Sequence, residues 1–549
     1  MIRKFYSAPL RMATLAALII GSALPAFADV KLSTELKDGD KISDIAKVIV
    51  KVESEEGVDK VEFRVDDMLR VSDTSTPYVY EWDTLADMEG EHTVTITGYD
   101  SNGVSKRITL KLVIDNELAS GAQALGEKAM EALDQKDEAA ALRFARRSQK
   151  VEKGALLSSR VVAKVYARQS EWDRAINALD KALGLNESAV AMKELASYRI
   201  QRAIRPENSN FIADFTAVTE LRRKAGDKEI ADVRAKNVSA DGKQTLAQIT
   251  AIGDALVTNG KYNEAVSEYS LAGEESGNAI LARRALASVL QDKPEEAESL
   301  LRPILRAKTD DAAVRAVYGL SLLRKHRFAD ARATVSKDLV DQYPAALIVA
   351  AFADAGLGKR VQALAQAKDV ITLYPNTAEA YYVNALATPD LRDSDKALGK
   401  TLALAPFQPG PLNNFAARLS VSKRTERYNE ALSISDLVLK YYPDNYFAGL
   451  IQTMVYLQTK KNKEADASFG KLLKTDKESP EILMALSAYY DARDNSQEAG
   501  RYLEKVRKME PKMERQAPPK PTEYLDLMNR KYFFRSEPFL SLEVLFPTK

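Results

Sequence analysis

Cysteine is absent from all 549 residues, and only two histidines occur. The first absence excludes disulfides, thiol nucleophiles and the acylated cysteine of a lipoprotein. The second leaves too few imidazoles for a histidine-based zinc centre, which needs three or four converging ligands. His92 and His326 lie in segments of different periodicity, and neither has a nucleophile or a metal-ligand spacing around it. A G-x-x-x-x-G-K-[ST] phosphate loop is missing too. Charge is balanced, with 79 Lys and Arg against 78 Asp and Glu, so there is no electrostatic case for nucleic acid. Carboxylate pairs of the glycosidase kind remain open in principle, but most Asp and Glu fall in polar turns or on polar helix faces. The expectation is a chain that is not an enzyme, with no catalytic residues, metal ligands or cofactor.

Long apolar runs are confined to the start. Arg3, Lys4 and Arg11 precede the apolar stretch Met12 to Leu24, and Ala26-Phe27-Ala28 puts small residues before Asp29. This is the grammar of a cleaved signal peptide over residues 1–28, with an uncleaved anchor as the alternative. No later stretch reaches the ~18 apolar residues of a membrane helix. The expectation is an exported protein, periplasmic or extracellular, with no stable membrane span after cleavage.

Residues 29–116 have a period of two. Val61-Glu-Phe63-Arg-Val65, Tyr78-Val-Tyr80-Glu-Trp82, His92-Thr-Val94-Thr-Ile96 and Ile108-Thr-Leu110-Lys-Leu112 alternate apolar with polar, as half-buried strands do. Glu56-Gly57, Asp66-Asp67, Thr76-Pro77, Glu89-Gly90 and Asp100-Ser-Asn-Gly103 supply turns. Short strands at this spacing suggest a small sandwich. Tyr78, Tyr80 and Trp82 share one face, which is either the sandwich core or a platform for stacking a sugar. Asp100 and Asn102 suit either a tight turn or a calcium site. The segments Val61 to Asp67, Asp73 to Thr84, Gly90 to Val94 and Tyr99 to Gly103 resemble bacterial immunoglobulin-like modules of secreted proteins. Asp67-Met68 departs from that pattern, because a glycine turn is common there.

From Glu117 the period becomes helical. Ala397, Ala431, Ala465 and Ala499 are spaced by 34 residues, and the series continues upstream through Ala363, Ala331, Ala297 and Ala265 at steps of 34, 32, 34 and 32. A self-similar period of this length marks a helix–turn–helix array whose units bury their apolar faces only against neighbours. The clearest unit is Gly253-Asp-Ala-Leu256, Gly260-Lys-Tyr262-Asn-Glu-Ala265, Tyr269 and Ala272. Small residues let the two helices of a unit approach, and the tyrosines fill the gaps. Pro344, Pro375, Pro443 and Pro511 follow helix ends. The pattern resembles the tetratricopeptide family over residues 117–514, about ten units by the 34-residue period. Residues 187–245 fit it poorly and read as a degenerate unit with an insertion, or a hinge. Arg143, Arg146, Arg147 and Lys150 read as a solvated helix face. Residues 515–549 form a cap and tail: a helix over 522–532, then Phe539 to Phe546 alternating like a strand.

The fold expected is therefore multidomain, a small all-β immunoglobulin-like sandwich followed by an all-α tetratricopeptide solenoid. The resemblance implies a right-handed superhelix whose groove, lined by the first helix of each unit, binds protein or peptide. By register with the repeat, Tyr382, Phe447, Met454, Met484 and Tyr490 fall on or beside that groove, and each suits inter-repeat packing equally well. The function expected is an exported scaffold for protein or peptide partners of the cell envelope. One alternative is an adhesin whose immunoglobulin-like module binds glycan. Another is an accessory subunit of envelope polysaccharide or secretion machinery.

Overall fold

A computed structural model describes residues 30–547 except 206–210, 238–243, 274–275, 308–310, 407, 422–423, 473–478, 512, 514 and 528–536. The leader over 1–28 and the polar run at 238–242 therefore lie outside the described residues, as do parts of 204–210 and of the capping helix expected over 522–532. No helix among the described residues is long and apolar enough to cross a membrane. Two compact units divide the chain, Met1–Lys153 and Gly154–Lys549.

The first unit is built from strands β1 (Lys31–Thr34), β2 (Lys41–Ile42), β3 (Ile45–Glu53), β4 (Val58–Val65), β5 (Met68–Asp73), β6 (Tyr78–Asp83), β7 (Gly90–Asp100) and β8 (Ser105–Ile114). They form one sheet of order β1-β3-β6 and another of order β2-β8-β7-β4-β5. The period-two runs point their apolar sets inward: Val61, Phe63, Val65, Val94, Ile96 and Leu112 are fully buried. Tyr78, Tyr80 and Trp82 belong to that core, and the Trp82 indole donates to Asp87 at 2.7 Å. They offer no stacking platform. Asp100 accepts from the amides of Asn102 and Val104 at 3.0 and 2.8 Å, the local turn of the two readings.

The β4–β5 hairpin manages without glycine. Asp66 and Asp67 both adopt left-handed backbone (φ 47° and 64°), as a two-residue primed turn demands. Asp66 is held there by its carboxylate, which accepts from the Thr93 amide at 3.0 Å and meets His92 Nδ1 at 2.6 Å.

Helices Gly121–Asp134 and Glu138–Val151 complete this unit. Here the structure corrects the solvated-face reading for Arg147, while Arg143, Arg146 and Lys150 are exposed. Arg147 is buried and donates through Nε and Nη2 to Asp44 at 2.9 and 2.6 Å. Asp44 is buried too, its amide donating to Asn116 and its carbonyl accepting from Thr84. Arg146 pairs with Asp83 at 2.7 Å. The helix thus clamps the edge of the sandwich with guanidinium groups that the helical pattern alone marks only as polar.

In the second unit helix pairs follow one another from Leu156–Arg168 with Trp172–Leu183 to Pro480–Asp491 with Ser496–Met509. The repeat is set by close approach. A methyl at Gly253 would sit 2.2 Å from the Tyr269 ring, and one at Gly356 would sit 2.4 Å from Phe328. Ala265, Ala297, Ala331, Ala363, Ala431, Ala465 and Ala499 are all fully buried at the matching position of the second helices.

The turns within pairs repeat as faithfully. In eight of them one residue takes left-handed backbone: Lys136 in the first unit, then Ser170, Gly260, Asp292, His326, Gly358, Lys460 and Asp494. Its amide and the next one bond back into the first helix, as Gly260 to Val257 and Lys261 to Leu256 do. This closing motif satisfies carbonyls that the helix end would otherwise orphan. His326 is such a turn residue.

The irregular stretch 187–245 becomes helices Ala189–Ala203 and Phe211–Lys236. They pack across the array rather than hinging it. Gln201 donates to the Gly399 carbonyl at 2.9 Å, Tyr441 donates to the Thr219 carbonyl at 3.3 Å, and a methyl at Gly399 would meet Ile204 at 2.3 Å. Tyr262 stacks on Tyr442 with ring centroids 6.2 Å apart. Early and late pairs of the unit therefore close on each other.

Candidate functional site

The first helices of the central pairs turn one face to a common interior, and residues 537–547 lie on it. Residues 537–541 form neither helix nor strand, with Glu537 in left-handed backbone (φ 54°), and Leu542–Leu545 make one helical turn, where alternation alone suggests a strand. The apolar residues come in adjacent couples, Phe539-Leu540 and Val544-Leu545, and all four are buried. A strand would send one of each couple to solvent.

Polar groups on six helices and their caps hold this segment. Arg324 donates through Nε to the Pro538 carbonyl at 2.9 Å, and its Nη1 lies 3.9 Å from the Glu537 carboxylate. Asn413 donates to Glu537 at 3.0 Å, and Asn445 donates to the other oxygen. Asn445 is also the N-cap of Tyr446–Gln458, accepting from the Ala448 amide at 3.0 Å. Glu379 accepts from the Ser541 amide, and Tyr343 donates its hydroxyl to the Leu545 carbonyl. The Arg283 guanidinium lies 3.6 Å from the Phe546 ring centroid. Burial pushes the carboxyls of Glu379 and Glu537 above the ordinary range, the latter against the opposing pull of Arg324.

Beside the segment a cavity of about 780 Å³ remains. Arg222, Lys261, Tyr262 and Tyr442 line it from the array, and Leu540 and Val544 line it from the segment. Burial lowers the pKa of Arg222 and raises those of Tyr262 and Tyr442.

Of the residues expected on the groove, Tyr382 touches the segment. Its ring stacks on Phe539 with centroids 5.9 Å apart, and its hydroxyl accepts from Asn414 at 2.6 Å. Phe447, Met454 and Met484 are buried in one apolar cluster with Tyr524 and Leu525 of the helix Pro521–Leu527. Tyr490 is half-buried, stacked on Tyr502 at 5.6 Å. The chain's own atoms thus cover the first four. The polar contacts at Arg324, Glu379, Asn413 and Asn445 were missed. Asn413-Asn414 carried a signal, because two adjacent amides sit in the apolar stretch Pro411-Leu-Asn-Asn-Phe-Ala-Ala417, and buried amides need partners.

Residues 34–96 match the family model described as a bacterial Ig domain. No curated protein matches the chain. Among solved structures, the fibronectin(III)-like modules of Clostridium thermocellum CbhA align at 20% identity over 16% of this chain, with a TM-score of 0.14. This chain covers 47% of that structure. The Cut9–Hcn1 hetero-tetramer of the APC/C aligns at 13% identity over 75% of this chain and 97% of that one, with a TM-score of 0.40. Yeast Tom70 aligns at 13% identity over 71% and 99%, with a TM-score of 0.30. The helical array is recognised by its own pairs, their period and their turns. The chain carries a bacterial immunoglobulin-like domain followed by a tetratricopeptide-like helical solenoid.

Proposed function

We propose that this protein is a non-enzymatic scaffold of the cell envelope that binds protein or peptide partners on the inner face of its solenoid. One observation carries the reading. A stretch of chain outside any helix or strand, residues 537–541, lies on that face with backbone and side-chain groups met by Arg324, Glu379, Asn413 and Asn445. A surface that satisfies the carbonyls and amides of such an irregular segment recognises peptide, since unpaired backbone groups at a buried interface would cost about 1–3 kcal/mol each. The immunoglobulin-like domain and the leader-like residues 1–28 favour export, to the periplasm or the cell surface.

Crosslinking of the tagged protein in cells, followed by mass spectrometry of the captured species, tests this. Discrete protein partners, crosslinked through residues of the second unit, are expected. Retention on glycan or wall material through residues 30–116 alone would replace the scaffold with an adhesin.

A further inference from the structure

The segment 537–547 sits where a terminal cap is not needed. Solenoids require cover at their ends, where the last pair lacks a neighbour. At this end the helix Pro521–Leu527 packs on Pro409–Ser420, Tyr446–Gln458 and Pro480–Asp491. Residues 537–547 instead reach Arg283, Arg324, Tyr343, Glu379 and Tyr382, on central pairs that already have neighbours on both sides.

The receiving groups also bond to one another. Asn413 donates to Asn445 at 3.1 Å, and Asn414 positions the Tyr382 hydroxyl. Gly410 leaves room for a backbone: a methyl there would lie 2.8 Å from the Glu537 carbonyl oxygen. Glycine at the start of a helix costs stability relative to alanine, and here it admits the Glu537 backbone and the Tyr382 hydroxyl, each 2.8 Å from where that methyl would lie. Every group engaged is one that any peptide of like composition could present: a carboxylate, two carbonyls, an amide and two aromatic rings. The cavity of about 780 Å³ gives a longer ligand space beyond the segment's own footprint.

We propose that residues 537–547 are an intramolecular ligand of the inner face, displaced in function by a segment of a partner protein that presents glutamate, then proline, phenylalanine and leucine. This rests on reading the inner face as a peptide-binding surface. The glutamate is selected by Arg324, Asn413 and Asn445, and the phenylalanine by Tyr382. The intramolecular copy makes the free protein closed to weak or unrelated segments, because a competitor must outbid a ligand held at high local concentration.

The test uses the full chain and a fluorescent peptide of the sequence of residues 537–547. The double variant Phe539→Ala/Leu540→Ala weakens the intramolecular copy without touching the receiving surface. It is expected to bind the peptide about tenfold more tightly than wild type, or better, since binding scales with the fraction of open sites. Adding Arg324→Ala should remove that gain, as should Phe→Ala in the peptide. Equal affinity for wild type and variant, or no binding to either, overturns the proposal. So does a peptide-free dimer of the variant that excludes the peptide, which would make a second copy the occupant.

Should the double variant lose its fold, hydrogen exchange on wild type decides. The Ser541 and Phe546 amides must exchange through an opening that leaves Ala378–Ala387 protected, and equal rates overturn the proposal. Partner capture in cells that is the same for wild type and variant sinks this inference and leaves the scaffold standing. Peptide exchange without any captured partner sinks the scaffold reading instead.

Discussion

Arg147 offers the sharpest quantitative check on the first unit. Its guanidinium and the Asp44 carboxylate are 8% and 9% exposed, so water screens neither. Deleting one member of such a pair strands the other charge, at about 3–5 kcal/mol. Arg143 lies 3.8 Å from the same carboxylate and is half-exposed, which restores up to about 1 kcal/mol. The Arg147 stack over Phe144, 5.3 Å from its centroid, is lost as well, at about 0.5–1 kcal/mol. Arg147→Ala should therefore destabilise this unit by about 3 kcal/mol. Asp44→Ala/Arg147→Ala should cost clearly less than the two single losses combined. Urea unfolding followed by Trp82 fluorescence in a Trp172→Phe background reads this unit alone, because the chain has only two tryptophans. A loss below about 1 kcal/mol, the size of an exposed pair, would refute the buried clamp.

Four further outcomes follow from particular atoms. Burial alone would lower the His92 pKa, but bonds to the Met88 carbonyl and Asp66 outweigh it and leave the value raised, while Asp66 is lowered. The His92 contribution is thus complete below its unfolded value of about 6.5 and is lost as pH rises through the folded one. The Asp66 contribution is lost only as pH falls below about 4. The first unit should melt higher at about pH 5.5 than at about pH 8.5, and His92→Gln should flatten that difference in calorimetry. Gly410→Ala should loosen residues 537–547, seen as faster exchange of the Ser541 amide, while its own helix gains about 0.5–1 kcal/mol. Unchanged exchange would mean the close approach is not limiting. Lys460→Gly relieves a left-handed lysine (φ 59°) and should raise stability by up to about 1 kcal/mol in urea melts. Gly253→Ala drives a methyl into the Tyr269 ring and should cost about 1–3 kcal/mol or more in the same melts.

Local pattern carried the two-part fold. Strand alternation and the alanine period depend on neighbours a few residues away, and both units keep them. Both were legible for that reason. Three things were not. Arg147 looks like any solvated arginine until a strand end places Asp44 beside it. Residues 539–546 alternate well enough for a strand, yet the adjacent pairs Phe539-Leu540 and Val544-Leu545 seek a concave apolar bed that no local signal reveals. The contacts of 189–236 with 391–441 depend on small rotations summed over many helix pairs, to which a linear pattern is blind. Of the residues that the repeat register put on or beside the groove, Tyr382 lies against the segment. The apolar character of Phe447, Met454 and Met484 could not separate a docking face from a core.

The closure between Gln201 and Gly399, and between Thr219 and Tyr441, bears on how this protein can evolve. An open solenoid gains or loses a unit at little cost, because each pair meets only its neighbours. Here the pairs between the two closing segments span a fixed arc. Inserting or deleting one 34-residue unit within that arc would carry Gly399 away from Ile204 and leave both closing faces bare. Repeat number should be frozen inside the arc and free to drift only outside it. Lineages of this protein would then differ in length at the Leu156–Leu183 pair or beyond Tyr446, and not between.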